Sequence, residues 1–392
     1  MIDRSQFDSD HPEKIAVAAL STGPGELADL IVCVIGPHYP RPGGVSTQVE
    51  ALSRSLRADG VTVRSVDTNV RSLRRLGKLG RLLMPSAQLA IVPIRLWKAA
   101  DGADIIHAHL ASYWGFYLPM IAVVLVRRLR GVPAVASYHG GKAAVFVPGN
   151  RHTVLPLLKR LDALIASSSF TGRVFESLGL RPVIIPNVVE LEQYQPNPPG
   201  SGSDRLAKRD KPALLWIKSM DDAGNPSLMV QAFARLRQVL PGSTLTMIGD
   251  GVLREEAQTL AQSLDAPIDF AGRVSYTALK ESYARADVFV ISSAVDNQPC
   301  TLIEASACGI PVVATAVGGI PDMVHDGVDA LLTPPGDAVA LANAVLRVVQ
   351  QPELAEALGR AGIDNAQGYA WPAVRARLGG LYLRLTKMDS TV

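Results

Sequence analysis

Glu304 is the only charged residue between Asp296 and Asp322, and its helical neighbours Leu302, Ile303, Ala305 and Ala307 are apolar. A carboxylate in such a setting is costly unless it is hydrogen-bonded. A pair of ligand hydroxyls would supply the donors; a solvated helix edge is the other reading of the same residues. The loop that precedes it, 292–298, runs into a helix N-terminus, where backbone N–H groups and the helix dipole favour phosphate. Phosphate and a diol together describe a nucleotide. Other residues that can do chemistry stand at predicted strand ends: Lys218, the His107-Ala108-His109 triplet, and His139 followed by Gly140-Gly141. Ligands of open parallel sheets bind outside the carboxyl ends of strands, so side chains there point into a cleft. A structural histidine bonded to backbone is the plainer reading of His109.

A βαβ unit must position Glu304. Val288 to Ile291 is a short β-branched and aromatic run of the kind that forms a buried strand. Pro299 is placed at a first helical position, the helix runs to Cys308, Gly309 stops it, and Pro311 to Thr315 is the next buried strand. Earlier in the chain, a strand over 30–35 enters a Pro/Gly loop whose Gly43-Gly44 pair opens a helix with Val45, Val49, Leu52 and Leu56 on one face. Strand, glycine loop and helix is the layout of a phosphate cradle, and also of an ordinary turn. Further strands are expected over 61–66, 104–107, 132–137, 162–166 and 183–185, with a helix starting near Ser168. The run 195–212 is Pro, Gly, Ser and charge without an apolar period, which describes a linker. The second half restarts with a strand over 213–217, a helix capped by Asn225, and a strand over 245–248 leading to Gly249-Asp250-Gly251, which makes a poor dinucleotide fingerprint. Helices follow over 338–350 and 354–366, and Trp371-Pro372 opens a last one.

At 392 residues the chain is long enough for two domains. Its 48% hydrophobic and 19% charged residues describe a globular protein with strands buried on both faces. A net charge of +3 gives no reason to propose nucleic acid as a partner. Cys33, Cys300 and Cys308 have neither disulfide parity nor metal spacing, which points to a reducing, cytoplasmic location. No apolar run reaches the roughly 20 residues of a spanning helix, and the first residues are too polar for a secretory signal. Asp8-Ser9-Asp10 is formally an acid pair for a metal, but it falls in the polar tail over 1–28, and no metal is expected.

The stretch from Asp287 to Pro321 resembles the C-terminal signature of retaining glycosyltransferases of family 4, which have the GT-B fold. There two acids flank seven residues, as Asp296 and Glu304 do here; Asp296 replaces the usual Glu and, with Asn297, Gln298 and Pro299, is similar to a "DNxP" branch. Gly43-Gly44-Val45, the strand pattern ending in His107-x-His109, and the IIPNVVE run over 184–190 are similar to further family motifs. The resemblance implies two Rossmann-like domains facing a cleft. The acceptor-side domain would span 29–194 and be joined by the last helix, 372–392; the donor domain would span 213–371. It also implies a metal-independent transfer of a sugar from a nucleotide sugar to a glycan or lipid-linked hydroxyl. Glu304 would hold the ribose, and Lys218, Gly43, Gly44 and the loop of Asn297, Gln298, Pro299, Cys300 and Thr301, through its backbone N–H groups, would surround the pyrophosphate. Asp296 and His109 would face the transferred sugar, with His139 beside them and His107 in support. Family members carry an Arg and then a Lys after the strand that ends here at Ile217, whereas Lys218 is followed by Ser219, Met220, Asp221 and Asp222. With one cation absent, an inactive nucleotide- or glycan-binding protein is the rival of another class, and a GT-B epimerase the rival among enzymes.

The stretch 71–98 holds Arg71, Arg74, Arg75, Lys78, Arg81, Arg95 and Lys98 and no acid. On a helix the first five share one side, with Leu73, Leu76, Leu79 and Leu83 largely opposite. An anionic membrane surface and ordinary core packing both fit that pattern.

Overall fold

The structure is a computed structural model that describes residues 23, 25–38, 44–69, 77–194 and 211–389, with the backbone alone for 77–83 and 388–389. Alternating strands and helices build two parallel six-stranded sheets. The first contains β1 (Ile31–Gly36), β2 (Thr62–Asp67), β3 (Ile105–Leu110), β4 (Ala134–Tyr138), β5 (Ala163–Ala166) and β6 (Val183–Ile184), in the order β2-β1-β3-β4-β5-β6. The second contains β7 (Ala213–Ile217), β8 (Thr244–Ile248), β9 (Asp269–Gly272), β10 (Val288–Ile291), β11 (Val312–Thr315) and β12 (Leu331–Thr333), in the order β12-β11-β10-β7-β8-β9. The runs in β3, β4, β10 and β11 are buried throughout, and that in β1 is buried after its first residue, because helices cover both faces of each sheet.

Strand order reverses once in each sheet, between β1 and β3 and between β7 and β10. Neighbouring loops diverge at such a point and leave a crevice at the carboxyl ends of the strands. The two histidines of β3 lie at the first reversal. Lys218, just past β7, and the 292–298 loop, just past β10, lie at the second.

Two of the sequence boundaries shift. Pro299 is the residue before the helix Cys300–Ala307, with extended backbone (φ −69°, ψ 111°), and not its first turn. β3 continues through His107 and His109 to Leu110, so both side chains are fixed by sheet register. The short strands β9 and β12 have no counterpart among the expected elements.

The C-terminal helix Trp371–Asp389 returns to the first sheet. Its Val374, Leu378, Leu381 and Tyr382 are buried in one cluster with Val32, Val34, Leu52 and Leu56. Trp371 Nε1 donates to Asp59 at 2.9 Å, and Arg375 donates to the same carboxylate at 3.2 Å. The segments 1–22, 39–43, 70–76 and 195–210, and with them Asp8, Asp10, Gly43, Arg71, Arg74, Arg75 and all but the last two residues of the expected linker, lie outside the described residues.

Candidate active site

On the donor side, the loops after β7 and β10 are tied together by one buried serine. Ser292 Oγ accepts from Trp216 Nε1 at 2.9 Å and donates toward the carbonyls of Gly224 and Asn225, at 3.1 and 3.0 Å. Lys218 N–H bonds the carbonyl of Ile248 at 3.1 Å. The loop that follows presses on Gly249, where an added Cβ would stand 1.8 Å from the Lys218 carbonyl oxygen. The Gly249-Asp250-Gly251 turn is therefore a packing device, consistent with its poor match to a dinucleotide fingerprint. Lys218 Nζ forms an ion pair with Asp296 Oδ2. Asp296 also accepts from Ser293 Oγ at 3.3 Å and from the Asn297 amide at 2.9 Å. The cation assigned to the pyrophosphate and the carboxylate assigned to the sugar thus neutralise each other, and the Asn297 N–H expected at the pyrophosphate serves Asp296.

Glu304 lies on the inner face of Cys300–Ala307 and is buried. Tyr283 OH donates to its Oε2 at 2.7 Å. Burial raises the carboxyl pKa, and hydrogen bonds from Tyr283 and Tyr194 act against that rise. Its partners are therefore tyrosines, which sequence reasoning missed: Tyr283 in the helix Tyr276–Arg285 and Tyr194 at the end of the first domain carry no spacing signal. Thr301 sits half-buried in the first turn of the helix.

Across the crevice, His107 and His109 share one face of β3 and stack with ring centroids 4.7 Å apart. His109 Nδ1 meets His139 Nε2, one residue past β4, at 2.9 Å. His107 is held at both ends, by Tyr382 OH at 2.5 Å and Ser137 Oγ at 2.8 Å. Burial pushes His107 down to about 3 and His139 to about 4, and holds His109 well below the ordinary value. Burial keeps all three rings neutral near pH 7, and the His109–His139 bond then pairs one donor with one acceptor. Among the described residues, the buried His109 Nε2 has no hydrogen-bond partner, and the Asn187 side chain acts on His139. His109 and His139 border a small cavity of about 30 Å³ with Gln48, Ser137, Ser167 and Asn187. Buried polar atoms of this kind are where a ligand's hydroxyls find partners.

The two sides meet. Gln298 Oε1 accepts from the Asn187 amide at 2.8 Å, and Gln48 Nε2 lies 3.2 Å from both Cys300 Sγ and the Val188 carbonyl oxygen. Gln298 and Cys300 thus touch Asn187 and Gln48, which border the cavity of His109 and His139, while Asp296, Asn297, Pro299, Thr301 and Glu304 lie on the same loop and helix and Lys218 pairs with Asp296. Gly44 is the first residue of the helix Gly44–Ala58 that carries Gln48. Among the described residues, no group of three or more His, Cys, Asp or Glu side chains is arranged to hold a metal ion.

Two parallel α/β domains, each offering a switch-point crevice to the other, define a GT-B architecture. The family described as Glycosyltransferase Family 4 matches residues 42–193, and that described as Glycosyl transferases group 1 matches 203–365. The chain is 26% identical over 370 residues to a phosphatidyl-myo-inositol mannosyltransferase of Mycobacterium leprae, covering 90% of this chain and 96% of that one. It is 28% identical over 374 residues to a D-inositol 3-phosphate glycosyltransferase of Frankia alni, covering 84% and 92%. Its fold matches sucrose-phosphate synthase from Thermosynechococcus elongatus (TM-score 0.69, 22% identity, 92% of this chain and 100% of that one). It also matches Anabaena HepE in complex with UDP-glucose (TM-score 0.71, 18% identity, 93% and 100%). The chain belongs to glycosyltransferase family 4 and is a glycosyltransferase.

Proposed function

We propose that this enzyme transfers a sugar, with retention and without a metal, from a nucleotide sugar to the hydroxyl of a glycan or lipid-linked acceptor in cell-surface glycolipid or polysaccharide synthesis. The observation that supports this reading is the seam where Gln298 meets Asn187 and Cys300 meets Gln48, because Gln48 and Asn187 also border the cavity of His109 while Asp296, paired with Lys218, and Glu304 flank Gln298 and Cys300 in the second domain. Glu304 accepts from the ribose hydroxyls in place of a tyrosine partner. Lys218 exchanges Asp296 for the pyrophosphate, as a point charge and not as an arginine fork. That exchange frees Asp296 toward the transferred sugar, whose hydroxyls also meet His109 Nε2 and the neighbouring His139. Pre-set cationic and amide groups then stabilise the departing phosphate. The DNxP form of the acidic motif belongs to this proposal.

Relatives suggest the donors to try. One is named as GDP-mannose-dependent, and HepE is seen with UDP-glucose. Titration calorimetry with GDP-mannose and UDP-glucose tests the donor site: one of them binds, and Glu304→Gln weakens it about tenfold or more, since charged acceptors make the stronger bonds. Equal affinity for the variant would return Glu304 to a structural role.

We also propose reversible docking of the first domain on anionic membrane. Between Thr68 and Leu161 the chain has fourteen Lys and Arg against two Asp, or +12, so the remainder carries −9 of the chain's +3. The helices Gly77–Ala99 and Trp114–Arg130 in this stretch expose Leu89, Ile94 and Trp97, and Ile121, Leu125 and Leu129. Lys98 and Arg128 lie among them, exposed. Each cation near an anionic surface adds about 1 kcal/mol, and the apolar side chains supply insertion. No helix among the described residues is long and apolar enough to cross a membrane. Co-sedimentation should recover the protein with phosphatidylglycerol vesicles at low salt, and Leu125→Glu should reduce recovery severalfold. Equal recovery with phosphatidylcholine vesicles would overturn the proposal.

A further inference from the structure

The side chain of Asn297 faces away from the donor crevice and into the other domain. Its Oδ1 accepts from Ser168 Oγ and from Thr171 Oγ1, and its Nδ2 donates to Ser167 Oγ at 2.9 Å. All four residues are buried: Asn297 is 4% exposed, Ser167 3%, Ser168 5% and Thr171 0%. The hydroxyls come from one rigid place, the turn between β5 and the helix Ser169–Glu176, where Ser168 Oγ also accepts from the Thr171 amide as the helix cap. On the other flank of Asn297, its backbone amide bonds Asp296 Oδ1 and the Asp296 carbonyl accepts from the Gly319 amide at 3.1 Å. One residue therefore joins a three-hydroxyl socket on the first domain to the carboxylate of the second.

We infer that Ser167, Ser168 and Thr171 are positioning residues: through Asn297 they hold the donor loop, and with it Asp296, in the geometry for transfer when the domains are closed. The inference rests on the proposed placement of Asp296 toward the transferred sugar. Hydrogen bonds suit this duty. When the domains part, each hydroxyl and each amide atom exchanges its partner for water, so opening leaves nothing unsatisfied. In the closed state a primary amide among three fixed hydroxyls is satisfied in one register only, so the clasp selects a single closure. The cavity beside the histidines holds about 30 Å³, whereas ligand pockets take roughly 300 Å³ or more, so a sugar seated beside His109 needs this face to open. The contacts of Gln298 with Asn187 and of Cys300 with Gln48 extend the same seam along the loop.

The test uses Thr171→Val, which removes one hydroxyl with little change of shape, Ser167→Ala, and Asn297→Ala, each checked for an unchanged circular dichroism spectrum. The full chain is assayed with GDP-mannose or UDP-glucose, whichever binds, for kcat and for calorimetric Kd. Small-angle scattering is recorded on the same samples. Displacing a reacting group by about 1 Å can reduce turnover on the order of a hundredfold, so a fall in kcat of about tenfold or more is expected for Thr171→Val and Ser167→Ala, with Kd changed less than about threefold. Asn297→Ala should have a larger radius of gyration than the wild type. Unchanged kcat in both hydroxyl variants would overturn the inference, as would a loss in Kd equal to the loss in kcat. If wild type binds neither nucleotide sugar, the donor-site reading fails on its own, and scattering decides the clasp: a profile of Asn297→Ala identical to that of wild type overturns it.

Discussion

His107, His109 and His139 show how burial sets the chemistry of single residues here. Each ring is neutral because water is excluded, and each neutral ring has one N–H and one lone pair to place. In the unfolded chain the same rings protonate near 6.5, whereas in the fold His107 and His139 wait until about 3 and about 4. The unfolded state therefore binds more protons through this window, and the stabilisation present above 6.5 is lost as pH falls toward 4. Glu304, whose pKa burial raises, works in the opposite direction, but it is one group against three. The urea midpoint should fall between pH 7 and pH 5, and a flat profile would contradict neutral, buried rings. The two histidines of β3 were legible in sequence because a strand repeats every two residues and so gives both one face. Tyr382, which holds His107, was not, since the contact spans 275 residues and nothing local announces it.

At the scale of elements, the donor loop is shaped by what packs beneath it. Gly318 has φ +55°, and an added Cβ there would stand 1.8 Å from the Asp296 carbonyl oxygen. At Gly319 the same atom would stand 1.9 Å from the Asn297 carbonyl oxygen and 3.0 Å from Ser168 Oγ. Gly319→Ala should therefore destabilise the protein by about 1–3 kcal/mol through overpacking against backbone and displace the loop that carries Asp296. Urea denaturation checks it, and an unchanged midpoint would show that the loop is free to give way. The strand–helix–strand unit around Glu304 could be read from sequence because its apolar runs are continuous and bounded by Gly309 and Pro311. β9 and β12 could not: one is the four-residue edge Asp269–Gly272, half of it exposed, and the other is three residues long. The Lys218–Asp296 ion pair was also out of reach, because two loops from separate strands create it.

For the whole molecule, function follows from two switch points brought face to face. The division into halves was visible because composition breaks sharply after Gln195, and because Trp371 and Pro372 restart a helix after a complete α/β domain. How the halves engage was not visible, since Asn297, Gln298 and Cys300 meet partners more than a hundred residues earlier. Seating the C-terminal helix on the first sheet ties the second domain to it at two points, the chain after Tyr194 and the helix itself. On the proposed reading, a sugar held between such domains is transferred by groups of both. The most direct test is to incubate the enzyme with the nucleotide sugar it binds and a lipid-linked hydroxyl acceptor in excess EDTA, and to read the product's anomeric proton by NMR. We predict release of the nucleoside diphosphate and a product that keeps the donor's α configuration. An inverted product, or turnover that appears only when magnesium or manganese is returned, would contradict the account.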